Sequence, residues 1–328
     1  MYESKLDLRD TLDAIKYLKD TFEVILGKEL KLTRVSAPLF VYKNTGLNDN
    51  LSGTEKAVSF KSKCANDSDI EIVHSLAKWK RYALDKYNFS YPEGLYTDMN
   101  AIRKDEDIDD VHSIYVDQWD WEKIINKDER NIDFLKKIVR KIVHSLYITQ
   151  ELLLGFYPTL DRYIVDNVYF ITTEDLRKMY PDLTSKEREN EITKLHKIVF
   201  IIGIGYPLGD GYPHDSRSPD YDDWNFNGDL LVYHPLLNKA VEISSMGIRV
   251  DSKSLEKQLE FTNNLERLKY DYHSRIINNT LPLTIGGGIG QSRICLLLLN
   301  KIHIAEVQAS LWPKDLVKEL EDNNIHIL

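Results

Sequence analysis

Leu12, Ile15, Leu18, Phe22 and Ile25 recur at intervals of three and four, which predicts an amphipathic helix over residues 6–27, closed by Gly27. The stretch "KLTRVSAPLFVY" then reads as a strand interrupted at Pro38; proline has no N–H for a central ladder, so this strand lies at an edge or is irregular. Helical spacing returns at 76–88, and "GLYTDMNAIRKDEDIDDVHSIYVDQWDWEKI" reads as strand, acidic loop, strand. The longest periodic stretch is 130–153, carried by Ile132, Leu135, Ile138, Val139, Ile142, Val143 and Leu146. Shorter helices are predicted near 173–180 and 185–197, and "VFIIGIG" (199–205) is a buried strand by its length and β-branching. After a polar loop, "DLLVYHPLLNKAVEISS" reads as a hairpin turning at 235–238, followed by a helix over 253–277, a glycine-rich loop with a buried helix, and a last strand "IAEVQASLW". Hairpins dominate over crossovers, so the pattern predicts an α+β fold: a mixed, mainly antiparallel β-sheet flanked by helices, not a doubly wound parallel sheet.

The chain has 328 residues, enough for one large or two ordinary domains, and shows no internal repeat or low-complexity linker. With 42% hydrophobic and 29% charged residues it can bury a sizeable core. A formal net charge of −9 disfavours a protein that coats nucleic acid. Cys64 and Cys295 are too few and too dissimilar in setting for a disulfide framework, and are expected as free thiols in a reducing cytoplasm. The polar start "MYESKLDLRD" is no signal peptide, and the longest apolar run, 294–299, is far too short to cross a membrane.

Several constellations could carry chemistry. In "TIGGGIGQSRICLLLLNK" (284–301), bare glycines before a helix would let backbone N–H groups approach an anion. No Gly-Lys-Ser/Thr follows, and Arg293 stands where a dinucleotide fingerprint needs its third glycine, so both common phosphate-loop templates fail; a glycine turn capping a core helix fits equally. In "YVDQWDWE", Gln118, Asp120 and Glu122 share one strand face, and Asp117, Trp119 and Trp121 the other: either a polar pocket floor or an exposed edge with a buried Trp pair. Glu242 and Ser244 share a face in "VEISSMGIR", and a Glu among Val, Ile and Met needs a cation or metal. The loop "HDSRSPDYDDW" gathers His214, Asp215, Arg217, Asp220, Asp222 and Asp223; it fits a Mg²⁺ site, a solvated acidic loop or an ordered lid, but has no zinc spacing. "VHSLAKWKR" brings Ser75, Lys78, Lys80 and Arg81 together, as a basic helix face or an anion site. Arg103 and Arg293, each beside a ligand-like loop, suit a bent nucleotide triphosphate, although Arg103 also fits a surface ion pair with "KDEDIDD".

Taken together, "DNLSGTEKAV", "VHSLAKWKR", "GLYTDMNAIRKDED", "HSIYVDQWDWE", "PDYDDW", "NGDLLVY", "VEISSMGIRV" and "TIGGGIGQSR" resemble the bacterial ammonia-dependent asparagine synthetases, the aspartate–ammonia ligases, from about residue 1 to 313. That family is similar to the catalytic domain of class II aminoacyl-tRNA synthetases, especially the aspartyl and asparaginyl enzymes. The resemblance implies a single catalytic domain over 1–328, with a helical insertion at about 130–197. It implies the β-carboxylate of aspartate attacking Mg²⁺·ATP to give a β-aspartyl adenylate, which ammonia converts to asparagine and AMP. Residue by residue, it implies Asp49, Arg103 and Gln118 at the reacting centre and Ser75, Lys80, Asp120, Ser244 and Arg249 on aspartate. Arg103, Arg217, Asp222, Asp229, Glu242, Ser245 and Arg293 would hold ATP, with Asp229 and Glu242 on Mg²⁺. Pro38 would lie at a homodimer interface. The segment after "PDYDDW", only "NFNGD", is shorter than the family pattern, which bears on the lid's shape; residues 140–200 resemble the family weakly and are expected as outer helices.

Two other classes compete: an aminoacyl-transferring paralogue, and a silent regulator that keeps the fold and binds asparagine or a nucleotide. Net negative charge and the lack of an anticodon-binding domain argue against tRNA, and the matched positions keep chemically suitable side chains. Free ammonia is the expected nitrogen donor: a glutamine-using synthetase needs an N-terminal cysteine after Met removal, and residue 2 is Tyr2. The expected partners are thus aspartate, ammonia and ATP, without nucleic acid or membrane, in the cytoplasm.

Overall fold

The three-and-four spacing near the N-terminus forms helix α1 (Leu8–Leu30) in the computed structural model, which describes residues 2–49, 51 and 55–328. Asp7 caps it by accepting from Asp10 N, and Lys31, at φ 59°, closes it with its N–H on Gly27 O and Lys28 O. Gly27 therefore does not end the helix: one interior glycine costs only about 1 kcal/mol relative to Ala, and core packing overrides it. The buried stripe is also rotated from the expected one. Ala14, Leu18, Phe22, Leu26 and Leu30 are buried, whereas Leu12 is 49% exposed. Phe22 packs on Trp119 with ring centroids 4.7 Å apart.

Pro38 separates two short strands that join different sheets, as an edge assignment requires. β1 (Leu32–Arg34) lies at the end of the large sheet, and β2 (Phe40–Tyr42) pairs with β4 (Asp69–Ile72) in a three-stranded sheet completed by β3 (Ser59–Lys61). Helix α2 (Ala77–Lys86) follows, then the antiparallel strands β5 (Gly94–Ile102) and β6 (Tyr115–Ile124) around the acidic loop. The long helix α3 (Ile132–Phe156) buries Leu135, Ile138, Val139, Ile142, Val143 and Leu146, the stripe its periodicity predicts. Beyond it come β7 (Tyr169–Thr172), α4 (Thr173–Met179), α5 (Ser185–His196) and β8 (Ile198–Ile202). The long hairpin β9 (Asp222–His234) and β10 (Lys239–Arg249) turns at 235–238.

The segment 253–277 is not one helix. It forms α6 (Ser252–Phe261) and α7 (Asp271–Ile277), because Asn263 takes a left-handed conformation (φ 56°) that an α-helix cannot continue through. Strand β11 (Thr284–Gly290) then leads into α8 (Gln291–Leu298), and α9 (Lys314–Asp322) closes the chain. "IAEVQASLW" is not a strand: a 3-10 turn over Ile304–Glu306, capped by His303, takes its place.

Among the described residues the large sheet runs β1-β5-β6-β11-β10-β9-β8-β7. Only its two end pairs, β1–β5 and β7–β8, are parallel, so the α+β, mainly antiparallel expectation holds. One face packs on α1, α3 and α8 around Trp119, Trp121, Met246 and Ile289. β6 is a central strand and not an exposed edge. Along β10 the core-facing residues are Val241 and Ile243, then Met246 and Ile248, with a register shift against β9 between Glu242 and Ser244.

Replacing Phe22 by Ala is expected to cost about 3–5 kcal/mol of unfolding free energy, while Leu12→Ala should stay within about 0.5 kcal/mol. Urea unfolding of the two variants checks which stripe of α1 faces the core.

Candidate active site

The polar face of the sheet, opposite the core, carries a cavity of about 390 Å³. Its floor begins with β6, whose alternation sends Trp119 and Trp121 into the core and Gln118, Asp120 and Glu122 to the cavity side. Beside it, β11 is hydrogen-bonded to β6 on one edge and β10 on the other, so the expected glycine loop is an extended strand. Its glycines have another purpose. A Cβ on Gly286 would overlap the Glu122 carboxylate, and one on Gly288 would overlap Gln118 Oε1. Bare backbone here lets long polar side chains of β6 lean across it.

At one end of the cavity, Arg249 is 2% exposed and paired with two carboxylates, with two of its five N–H donors left over. Its Nε donates to Glu122 Oε1 at 3.0 Å, Nη2 to Glu122 Oε2 at 2.7 Å, and Nη1 to Asp222 Oδ1 in a shorter contact. Thr284 adds a 2.6 Å hydrogen bond to Glu122. Burial alone would lower the guanidinium's pKa, but Glu122 and Asp222 outweigh it and hold Arg249 charged. Asp222, expected beside the nucleotide, thus has its carboxylate on this arginine. Lys80 donates to Asp120 Oδ1 and, at 2.7 Å, to Gly287 O; burial lowers its pKa against the pull of Asp120. Asp49, 2% exposed, accepts from Ser75 Oγ at 2.9 Å and Leu51 N at 3.0 Å. Of its motif "DNLSGTEKAV", residues 50 and 52–54 lie outside the described residues.

At the other end stand Arg103, Arg293 and Arg217 with Glu242 and Ser245, and Ser244 lines the cavity between. Arg293 donates to Glu242 O at 2.9 Å. Arg103 lies 3.9 Å from Glu106, a long ion pair that leaves most of its donors for something else. Arg217 is bonded to Asp229 and, at 3.1 Å, to Asp215. Burial would raise Glu242, but Arg293, Arg217, Lys186 and Arg103 together pull it below the usual carboxylate range. Asp229 is pushed the other way, by burial first and then by the charge of Glu242, with Arg217 opposing. Asp229 does not line the cavity; it lies behind Arg217, on the strand next to Ser245.

Two sequence expectations change. "VHSLAKWKR" is not an exposed basic face: Lys78, Lys80 and Arg81 are 1–2% exposed. Nor is "HDSRSPDYDDW" a solvated acidic loop. Asp220 is buried among Lys78 (3.2 Å), Arg267 (3.1 Å), His273 (2.9 Å) and Ser218 (2.8 Å), and Asp223 pairs with Arg130 at 2.5 Å. The charged partners are distant in sequence and close in space, so each half looked exposed when read alone. Residues given no role from sequence also belong to the site. Glu122 clamps Arg249, and its shared face with Gln118 and Asp120 was the available signal. Tyr221, inside "PDYDDW", lines the cavity, and burial beside Asp49 and Asp222 holds its phenol well above its usual range.

Among the described residues, buried atoms of four cavity-lining side chains have no hydrogen-bond partner, Arg103 Nε, Asp120 Oδ2, Ser244 Oγ and Gln308 Oε1, as does Asp229 Oδ1 behind Arg217. Buried polar groups are rarely left unsatisfied. The arrangement offers cations with carboxylates at one end, suited to a zwitterion, and arginines at the other, suited to phosphate. As to a divalent cation, among the described residues no three His, Cys, Asp or Glu side chains cluster. Asp229 and Glu242 are the carboxylates that would hold Mg²⁺, and the unsatisfied Asp229 Oδ1 is an oxygen of the kind such an ion takes.

The profile of the aspartate–ammonia ligase family matches residues 9–324. An aspartate–ammonia ligase of Clostridium perfringens is 57% identical over 327 residues, covering 100% of this chain and 97% of that protein. Ligases of the same name from Clostridium tetani and Levilactobacillus brevis are 56% and 52% identical, covering 100% of this chain and 96% and 98% of theirs. Among solved structures, the asparaginyl-tRNA synthetase of Pyrococcus horikoshii with asparaginyl-adenylate superposes with TM-score 0.66 at 14% identity, over 92% of this chain and 70% of that one. The Entamoeba histolytica asparaginyl-tRNA synthetase with the same ligand gives 0.65 at 14%, over 92% and 66%. At such identity these synthetases share the fold, which is of the class II aminoacyl-tRNA synthetase type.

Glu122→Gln keeps the shape but leaves Arg249 half-paired, and should cost about 3–5 kcal/mol in chemical denaturation. A second expectation concerns acid. Burial disfavours the Asp220 carboxylate, but Lys78, His273 and Arg267 win and hold its pKa well below the usual value. Its stabilising contribution is therefore complete above about pH 4 and lost as pH falls further. Asp220→Asn should flatten the acid limb of stability against pH, as well as lowering stability at neutral pH.

Proposed function

The chain belongs to the aspartate–ammonia ligase family, a family of carbon–nitrogen ligases that make asparagine from aspartate. On that footing we propose that it works through a β-aspartyl adenylate, with Mg²⁺·ATP as the activating substrate and free ammonia as the nitrogen donor, releasing AMP and pyrophosphate. The observation that carries this reading is the set of unsatisfied buried atoms on Arg103, Asp120 and Ser244 around one cavity whose ends have complementary charge. The adenylates bound to the asparaginyl-tRNA synthetases of like fold support the same chemistry.

A carboxylate is a poor electrophile, and the phosphoanhydride corrects that. In the first step the β-carboxylate oxygen of aspartate bonds to the α-phosphorus of ATP as the bond to the pyrophosphate oxygen breaks. Arg103 neutralises charge developing on the α-phosphate, a role whose loss typically costs about 10²–10³ in rate. Arg293, with Ser245, seats the nucleotide; Asp229 and Glu242 would hold the Mg²⁺, which would supply positive charge to the pyrophosphate leaving group. At the other end Arg249 and Lys80 receive carboxylate, while Asp120 and Ser244 receive the α-ammonium and its neighbours. Asp222 and Glu122 act through Arg249.

In the second step ammonia enters beside Asp49 and Gln118. Asp49, oriented by Ser75 and the Leu51 amide, takes a proton from ammonium. The freed nitrogen attacks the acyl carbon, passes a further proton to water, and the bond from carbon to the AMP oxygen breaks. The chain works as one catalytic unit, and a homodimer is supported by Leu39, Phe40 and Tyr42, which stand 47–49% exposed beside Pro38. The acidic net charge supports small-molecule substrates in place of nucleic acid. Among the described residues no helix is long and apolar enough to cross a membrane.

Aspartate, ammonium and Mg²⁺·ATP should give asparagine with matched AMP and pyrophosphate by ³¹P and ¹H NMR; ADP and phosphate would sink the adenylate route. Arg103→Lys should lower kcat about 10²–10³-fold while leaving the fold intact by circular dichroism. Glutamine should not replace ammonium.

A further inference from the structure

Arg217 comes from the loop before β9, yet its side chain is only 13% exposed. Nη2 donates to Asp229 Oδ2 in a very close contact; Nη1 donates to Asp215 Oδ2 at 3.1 Å and to Ser216 O at 2.8 Å. Glu242, on the neighbouring strand, draws on the same positive charge. Of the other cations near Glu242, Arg293 is bonded to the Glu242 backbone oxygen, at 2.9 Å, and Lys186 to Glu189, at 3.0 Å, while Arg103 has only its long pair with Glu106, at 3.9 Å; none of them is bonded to Asp229. Arg217 thus supplies the one cation bonded to the Asp229 carboxylate among the described residues. That carboxylate is one of the two assigned above to Mg²⁺. A guanidinium and a hydrated divalent cation compete for the same oxygens, and like charge forbids both at close range.

We propose that Arg217 is a resident counter-ion of the metal carboxylates, exchanged for Mg²⁺ only when the metal arrives with ATP. This rests on the reading of Asp229 and Glu242 as metal ligands. Before substrate, the guanidinium neutralises the pair. When Mg²⁺·ATP enters, the divalent cation takes the carboxylate oxygens and the triphosphate receives the released guanidinium, so neither anion is left bare. Mg²⁺ alone leaves the arginine only the half-exposed Asp215 as counter-ion, and free metal therefore binds poorly. The exchange makes nucleotide and metal enter together and draws the Arg217 loop onto the phosphates in the same event.

Mn²⁺ followed by EPR on the full chain tests this. Wild type should bind Mn²⁺ alone weakly and bind it tightly once a non-hydrolysable ATP analogue is added. Arg217→Gln should bind Mn²⁺ alone at least about tenfold more tightly than wild type, with a smaller gain from nucleotide. Arg217→Lys, which keeps a cation, should stay near wild type. Melting with and without Mn²⁺ shows whether Arg217→Gln is folded, and metal alone should raise its Tm more than that of wild type. Independently of any variant, hydrogen exchange in the wild-type 215–221 loop should change with Mn²⁺ plus nucleotide and not with Mn²⁺ alone. Equal Mn²⁺ affinity of Arg217→Gln and wild type, or an unchanged loop, overturns the exchange. If Asp229→Asn leaves nucleotide-dependent Mn²⁺ binding intact, the metal-site reading itself fails, and the exchange fails with it.

Discussion

The site depends on one buried cluster, Arg249 between Glu122 and Asp222. Three charged groups removed from water would each be strongly unfavourable alone, and only close mutual hydrogen bonding compensates. That geometry in turn depends on Gly286. The strand beside Glu122 has no side chain at this point, so the carboxylate reaches across backbone to the arginine. Arg249 ends β10, Asp222 begins β9 and Glu122 lies on β6; the cluster thus registers strands that carry residues of both cavity ends. A site fixed this way is organised before substrate arrives, which is the condition for electrostatic stabilisation of a transition state without reorganisation.

The loop over the cavity is fixed by the same kind of physics. Asp220 holds Lys78 from α2 and Arg267 and His273 from the segment around α7. Gln258 of α6 adds bonds to Pro219 O, Asp222 O and Trp224 N, at 2.9, 2.9 and 3.0 Å. The root of the loop is therefore clamped on both sides of Tyr221. Arg217 and Asp215, nearer the tip, are held mainly by each other and by Asp229. The loop is thus divided into a root held by buried hydrogen bonds and a tip held by ion pairs.

How much of this was readable before the structure depended on whether the deciding partner was local. The stripe of α3 and the hairpin at 235–238 were legible because helical period and turn chemistry are local properties. The family was legible through long motifs such as "YTDMNAIRKDED" and "PDYDDW", and through them most residues that line the cavity. Buried cations were not: Lys78 and Arg81 look like surface charges until Asp220, Pro282 O and Val250 O appear beside them. The glycines of β11 misled for a related reason. Glycine read alone signals a turn, whereas here it answers a neighbour's side chain. Gly27 and Asn263 reversed roles as helix stops, since packing overrode the first and backbone conformation enforced the second.

The register shift in β10 has a larger meaning than a local defect. Core-facing residues are odd-numbered up to Ile243 and even-numbered from Met246 onward. A strand of perfect alternation would keep one parity throughout. Glu242 and Arg249 differ in parity, yet both look into the same cavity. Deleting one residue from the irregularity would make a more regular strand and put Glu242 and Arg249 on opposite faces of the sheet. The two ends of the cavity share one floor because the strand miscounts once.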